Sequence, residues 1–314
     1  HGERANHAVL RCRNVRGYIE TIALLFVITL KQYSKNEIEA FEITQLVLLV
    51  ILIILGFSGA EWYGDRNTMT LFGATSDPNY FTGFFLLPVA VALKKMKEHR
   101  LYAVICPVLI ALGTYIVITS GSRSGLLAFA VMLISYVFIN AKGAKQRLIG
   151  LGIILVLAVI MWSIVIPLLP EDVAERFSLT ALIESRGTYR IDIWASMLDT
   201  IKNSSWELFC GRGINAYHEM MVNGRLEQVV AHNQFIQSLY NQGIFGFILF
   251  ALVSFFAVYR NWKMRGYISA AMIGMLVLAM TLTINPSIKA FWNLLIYSAF
   301  SFQNSEKTPG GDLI

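Results

Sequence analysis

Apolar runs free of Asp, Glu, Lys and Arg alternate along the chain with short polar segments, at a repeat set by a bilayer rather than by a soluble core. A helix crossing a membrane needs about 20 consecutive apolar residues. Ile43 to Ala60, Leu101 to Thr119 and Leu148 to Leu169 meet or approach that length. Phe81 to Leu93, Leu126 to Ile139, Tyr267 to Thr283 and Ala290 to Phe302 do so with their flanks. An eighth span runs from about Gly243 to Tyr259, whereas Ile22 to Leu30 is too short unless Tyr18 to Thr21 are recruited. The pattern predicts an all-α, polytopic transmembrane helix bundle of eight or nine spans. Its parts are a basic N-terminal segment with a doubtful first span (1–42), a transmembrane bundle (43–169), one large extracytoplasmic loop with interfacial helices (170–231), C-terminal transmembrane helices (232–302) and a polar tail (303–314).

The stretch opened by Ala231-His232-Asn233-Gln234 organises the rest. If one helix covers it through Tyr259, Gly243 lies about three turns after His232, and Gly246 falls near the same face. Asn233, Gln234, Gln237, Asn241 and Gln242 keep the first turns polar, so the helix enters hydrocarbon only after about Gly243. His232 then belongs at or above the membrane surface.

Composition agrees: 56% hydrophobic residues, 15% charged and a mean hydropathy of +0.57 exclude a soluble single domain. A net charge of +6 would suggest nucleic acid in a soluble protein, but the basic residues cluster in short loops between spans. Lys94, Lys95, Lys97 and Arg100 form one such loop, Lys142, Lys145 and Arg147 a second, and Arg260, Lys263 and Arg265 a third, with Glu98 as the single acid. The positive-inside rule places these loops in the cytoplasm and Arg66, Arg123 and His232 on the other side. The same count puts the basic N-terminus (Arg4, Arg11, Arg13, Arg16) outside, a conflict that a missing upstream part or a non-spanning first segment would resolve. The start at His1, without methionine or a signal-peptide pattern, suggests a fragment with upstream spans absent. Cys12, Cys106 and Cys210 fit neither a metal-ligand spacing nor a disulfide framework.

Three sets of polar groups meet on the predicted outer side. Arg123 ends a hairpin whose flanking spans are apolar, so its guanidinium pairs with an anion or snorkels to a lipid phosphate. Arg186 and Arg190 share a helical face, and Trp194, Met197, Leu198 and Ile201 continue the stripe from Arg190. That pattern reads either as a helix lying on the membrane surface or as solvated charges on an amphipathic helix. His232, with an ordinary pKa near 6.5, suits a general base at neutral pH, although a histidine at a helix start also serves as a structural hydrogen-bonder. Arginines facing one histidine suit transfer from a diphosphate leaving group, because guanidinium forks grip phosphate oxygens and stabilise the departing anion. Asp192, Asp199, Glu207, Glu219 and Glu227 are scattered, so the reading is metal-free, with no cofactor. Gly211-Arg212-Gly213 could offer amides to a phosphate but more often marks a turn. Arg66 and the Asp77-Pro78-Asn79 turn read as structural.

These residues resemble the O-antigen ligase and polymerase superfamily of bacterial envelope polysaccharide synthesis. His232-Asn233, nine residues, Gly243, two residues and Gly246 match its pattern H-[NSQ]-x9-G-x-x-[GTY]. Arg123 with Leu127 matches R-x3-L. Arg190, Trp194 and Gly211-Arg212-Gly213 resemble the run in the family's large periplasmic loop, and Pro78-Asn79 its upstream turn. The likeness extends from about Arg66 to Phe302, with fewer spans than the family's usual ten to twelve. It implies an undecaprenyl-diphosphate-linked glycan donor, a lipid-linked or lipid A core acceptor, neither nucleotide nor metal, and a bacterial inner-membrane location with the site on the periplasmic or extracytoplasmic side. It also implies that Arg123 and Arg190 hold the diphosphate, with Arg186 competing for the second place, while His232 activates the acceptor.

Two rival readings share the basic outer face: a transporter or flippase for lipid-linked sugars, and a non-catalytic assembly subunit. Carriers place ionisable groups or broken helices near mid-membrane. Here Leu126 to Ile139, Leu148 to Leu169, Phe245 to Tyr259 and Ile268 to Thr283 carry no charged side chain, and away from the span ends only Pro88 and Pro107 interrupt the helices, which favours surface chemistry.

Overall fold

The computed structural model describes residues 20, 22–58, 60–63, 66–71, 74–75, 77–178, 190–213, 216–222, 224–283 and 289–302. Eleven labelled helices carry the fold: α1 (Lys35–Ser58), α2 (Pro78–Lys95), α3 (Arg100–Thr119), α4 (Arg123–Asn140), α5 (Ala144–Ile160), α6 (Glu171–Glu175), α7 (Arg190–Lys202), α8 (Ser205–Cys210), α9 (Gln234–Asn261), α10 (Gly266–Ala279) and α11 (Lys289–Ala299). Residues 22–30 are also helical, too few to cross a bilayer. The α1, α3, α4, α5 and α9 segments are long and apolar enough to do so, α5 through its continuation to Leu168. The all-α polytopic bundle expected from the apolar runs is therefore met.

α2 and α10 form its centre. α10 packs against α4 and α2, and α1 packs against α2 and α3. Both central helices bury most of their residues, whereas α5 buries none of its own. Close helix approach uses small residues, as hydrocarbon supplies no hydrophobic drive between helices. On α4, a methyl group at Gly125 would lie 2.3 Å from the Thr82 hydroxyl of α2.

The structure differs from the sequence expectation in several places. α10 and α11, with 14 and 11 residues, are shorter than the spans Tyr267 to Thr283 and Ala290 to Phe302. The polar loop from Glu61 to Asn79 contains an antiparallel meander, β2 (Ala60–Tyr63), β3 (Arg66–Leu71) and β4 (Ala74–Thr75). The large loop carries a hairpin, β5 (His218–Val222) with β6 (Arg225–Val229), beside its helices. A two-residue parallel pair, β1 (Gln32–Tyr33) with β7 (Ser301–Phe302), completes the strands among the described residues. The tight turn at Gly224, with φ 77°, explains the hairpin.

The basic loops are also more structural than their charges imply. Glu42 of α1, 1% exposed, accepts hydrogen bonds from Lys94 and from the Tyr267 hydroxyl, and pairs with Lys95 at 3.0 Å. Arg265, placed in the third basic loop by sequence, is buried and donates to the carbonyls of Tyr297, Ser298 and Phe300, capping the end of α11. These contacts gather at the C-terminal end of α2. Asp77, Arg123 and His232 lie at the N-terminal starts of α2, α4 and α9, the opposite end of the bundle.

Candidate functional site

Three helix starts meet at that end. Asp77 caps α2, its side chain accepting from the Asn79 amide at 2.7 Å. Ser122 caps α4, accepting from the Gly125 amide while its hydroxyl donates to Asn79 Oδ1 at 2.7 Å, and Ser124 donates to the same oxygen at 3.2 Å. Asn79 thus fastens the start of α2 to the start of α4, so the Pro-Asn turn read as structural does have that role. Asn233 caps α9, its Oδ1 accepting from the amides of Phe235 and Ile236. Helix N-termini carry positive partial charge, so their convergence favours an anion before any side chain is counted.

His232 does not lie on α9. It precedes the cap with φ 46°, the only non-glycine residue with positive φ among the described residues. Such a conformation costs on the order of 1–3 kcal/mol and persists only where the surroundings enforce it. The neighbours do so. The Ala231 amide donates to Gln237 Oε1 at 2.8 Å, and the Ala231 carbonyl accepts from Trp194 Nε1 at 2.6 Å. On the other side Asn233 is pinned by its cap, so the chain must turn sharply at His232.

The shared helix face expected for His232, Gly243 and Gly246 is corrected by a second break. Gly243 has φ 65° and ψ −167°, a kink that splits α9 into a polar first part and an apolar second part. The kink frees the carbonyls of Tyr240 and Asn241, which accept from the amides of Arg212 (3.0 Å) and Gly213 (2.9 Å). Gly211-Arg212-Gly213 is therefore a clip on α9, and those two amides are engaged with protein rather than offered to phosphate. Gly211 also has positive φ, 73°, and a side chain there would collide with the backbone of Asn241 and Gln242. Gly246 makes room for the Gln242 side chain across the kink. The spacing His-x10-Gly is a loop-plus-half-helix distance, not a helical face.

Arg190 opens the described part of α7 and is half-buried. The buried edge of α7 is Ile193, Met197 and Ile201, with Trp194 partly covered; Leu198, placed on that edge by sequence, is exposed. Arg190 and Trp194 are one turn apart, so the helix that holds the Ala231 carbonyl also presents the guanidinium. Arg186 lies outside the described residues, and so does the Arg66 side chain; the Arg66 backbone pairs with Tyr63 in the meander.

Electrostatics ties these groups together. Solvent reaches His232, yet the protein around the ring holds its pKa below the ordinary 6.5 through burial, with the Arg190 charge adding to the effect and Asp77 opposing it. Burial likewise lowers Arg190, with Asp77 opposing and Arg123 reinforcing. Arg123, Arg190, His232 and Asp77 therefore share one field. A fourth cation, Arg176, joins them. It follows α6, donates through Nε to the Gly121 carbonyl at 3.2 Å, and is lowered by burial and then by Arg123. Sequence reading passed over it, because a single arginine in the Glu-Arg-Phe stretch of a polar loop has no periodicity to flag it. Arg212 belongs elsewhere: its guanidinium donates to the Tyr240 hydroxyl at 3.0 Å and lies 3.5 Å from Glu207. Among the described residues no three His, Cys, Asp or Glu side chains lie together as a metal-binding group.

The pKa directions set a testable pH dependence. An imidazole held below 6.5 stays neutral to lower pH, so with His232 in the role of base that the sequence motif implies, the acid limb of activity should fall below pH 6.5. Arg190→Gln removes one cause of the depression, so the limb should move upward toward 6.5. A pH profile of kcat/KM for both proteins checks this, and a limb unmoved by the substitution would count against the coupling.

Residues 108–251 match the family model described as O-Antigen ligase. That match spans just under half of the chain. It takes in Arg123, Arg176, Arg190 and His232, bearing out the resemblance that the short motifs suggested. The fold is also similar to a chain of a solved structure titled "Structural coordination of polymerization and crosslinking by a peptidoglycan synthase complex", at 16% identity, with a TM-score of 0.54 over 94% of this chain and 89% of that one. No curated protein matches the chain. The match to the O-antigen ligase model, lying on a bundle of apolar helices, supports a membrane enzyme of glycan transfer.

Proposed function

We propose that the chain is a metal-independent, inverting glycosyltransferase that moves a glycan from an undecaprenyl-diphosphate-linked donor to a lipid-linked or lipid A core acceptor. The observation that carries this reading is the coupling of Arg123 and His232, at the starts of α4 and α9, to Arg190 of α7 at one end of the bundle. The basic loops at the other end support an extracytoplasmic position for the site, and we assign the chain to a bacterial inner membrane. His232 takes the proton of the acceptor hydroxyl, whose oxygen bonds to the anomeric carbon as the bond to the diphosphate oxygen breaks. Arg123 and Arg190 hold the diphosphate, gripping it alike in the bound donor and in the departing anion through charge-assisted hydrogen bonds, so their loss reads in the donor KM. A single displacement of this kind inverts the anomeric configuration. Asn233, Gly243, Gly246, Trp194 and Arg212 support the site through the cap, the kink and the clip.

The experiment is transfer by purified protein in proteoliposomes supplied with undecaprenyl-diphosphate-linked donor. Arg190→Ala should raise the donor KM by about tenfold or more, the order expected for losing a charge-assisted hydrogen bond of about 1.5–3 kcal/mol. Added EDTA should leave the rate unchanged. Wild-type donor KM in the variant, or strong inhibition by EDTA, would refute the assignment.

A further inference from the structure

A second polar cluster lies behind the site, and the proposed reaction does not use it. His218 of β5 is buried, with both ring nitrogens engaged: Nε2 is 2.7 Å from the Ser196 hydroxyl of α7, and Nδ1 is 3.2 Å from the Tyr240 hydroxyl of α9. Arg212 fixes the direction of the chain. A guanidinium only donates, so the Tyr240 oxygen accepts from it, and the buried Tyr240 proton finds its acceptor in His218 Nδ1. Nε2 therefore carries the imidazole proton and donates to Ser196. That order is the reverse of a serine nucleophile and its base, where Nε2 must accept, so the pair is not a second catalytic centre.

The chain runs instead from the clip, through α9 and the hairpin, to α7. Ser196 sits two residues beyond Trp194, whose indole holds the Ala231 carbonyl, and on the helix that carries Arg190. Resting on the proposed function, we infer that His218 is a positioning residue that sets α7 against α9 and thereby holds Arg190 at the donor diphosphate. It touches no reacting atom. Its absence would loosen the grip on the leaving group and leave the base at His232 in place.

The test is a kinetic cycle in proteoliposomes with undecaprenyl-diphosphate-linked donor. His218→Ala and Ser196→Ala should each raise the donor KM several-fold with kcat little changed. His218→Gln, whose amide can donate to Ser196 and accept from Tyr240, should return KM to near wild type, which a merely space-filling role would not predict. His218→Ala combined with Arg190→Ala should be no worse than Arg190→Ala alone. Additive losses, a fall in kcat instead of a rise in KM, or wild-type kinetics in Ser196→Ala and His218→Ala would overturn the inference. A wild-type KM in Arg190→Ala would overturn it together with the diphosphate reading. Intact transfer by His232→Ala would remove the base assignment alone, since the cycle between His218 and Arg190 reads independently of it.

Discussion

His232→Ala should lower glycan transfer by at least about 10²-fold, the lower range for a lost general base, while the donor KM stays within about threefold of wild type. The split follows from the division of labour: the imidazole acts on the incoming hydroxyl, and the guanidinium groups hold the diphosphate. The fold should tolerate the change. His232 occupies the positive-φ position between Ala231, tied to Trp194 and Gln237, and Asn233, tied to the first turn of α9. None of those bonds involves the imidazole. A variant that keeps its thermal stability but loses turnover would identify a chemical role; one that keeps turnover would leave His232 as a loop residue.

Gly243→Ala has the largest expected effect on structure. Its backbone angles are open to glycine almost alone, and an added Cβ would stand 2.2 Å from the Phe209 carbonyl oxygen and 2.6 Å from the Cys210 amide nitrogen. Backbone atoms cannot step aside as a flexible side chain can. The cost should be about 3 kcal/mol or more, from strain and from displacement of α8. Losing the kink would also withdraw the Tyr240 and Asn241 carbonyls from Arg212 and Gly213, releasing the clip. Thermal unfolding in nanodiscs should show Tm reduced by roughly 5 °C or more, with transfer lost as well. An unchanged Tm would contradict the strained kink.

Much of the architecture was legible because hydrocarbon imposes a blunt rule on sequence. The limits of α3 and α4 follow the apolar runs to within a few residues, and the Ser122 and Asn233 caps sit where polar residues precede them. Arg123, Arg190 and His232 could be picked out individually, since an arginine at the mouth of an apolar hairpin and a histidine at a helix start are each conspicuous. What the sequence did not carry was direction in space. The two glycines after His232 looked like a helical face because spacing alone cannot distinguish a kink from a smooth helix. Arg176 and the Ser196–His218–Tyr240 chain have no local pattern at all. Their partners come from distant parts of the chain, and only the folded loop brings them together. Arg265 misled for the opposite reason: its charge fits a cytoplasmic loop, but its terminal guanidinium nitrogens donate to carbonyls at the end of α11.

The most direct measurement is a cryo-EM map of the protein in nanodiscs with undecaprenyl diphosphate bound. The diphosphate should lie beside the starts of α2, α4 and α9, within hydrogen-bonding reach of Arg123 and Arg190 and next to the His232 ring. Diphosphate density at the other end of the bundle, beside Glu42 and Lys94, or a map in which neither arginine reaches it, would contradict the account.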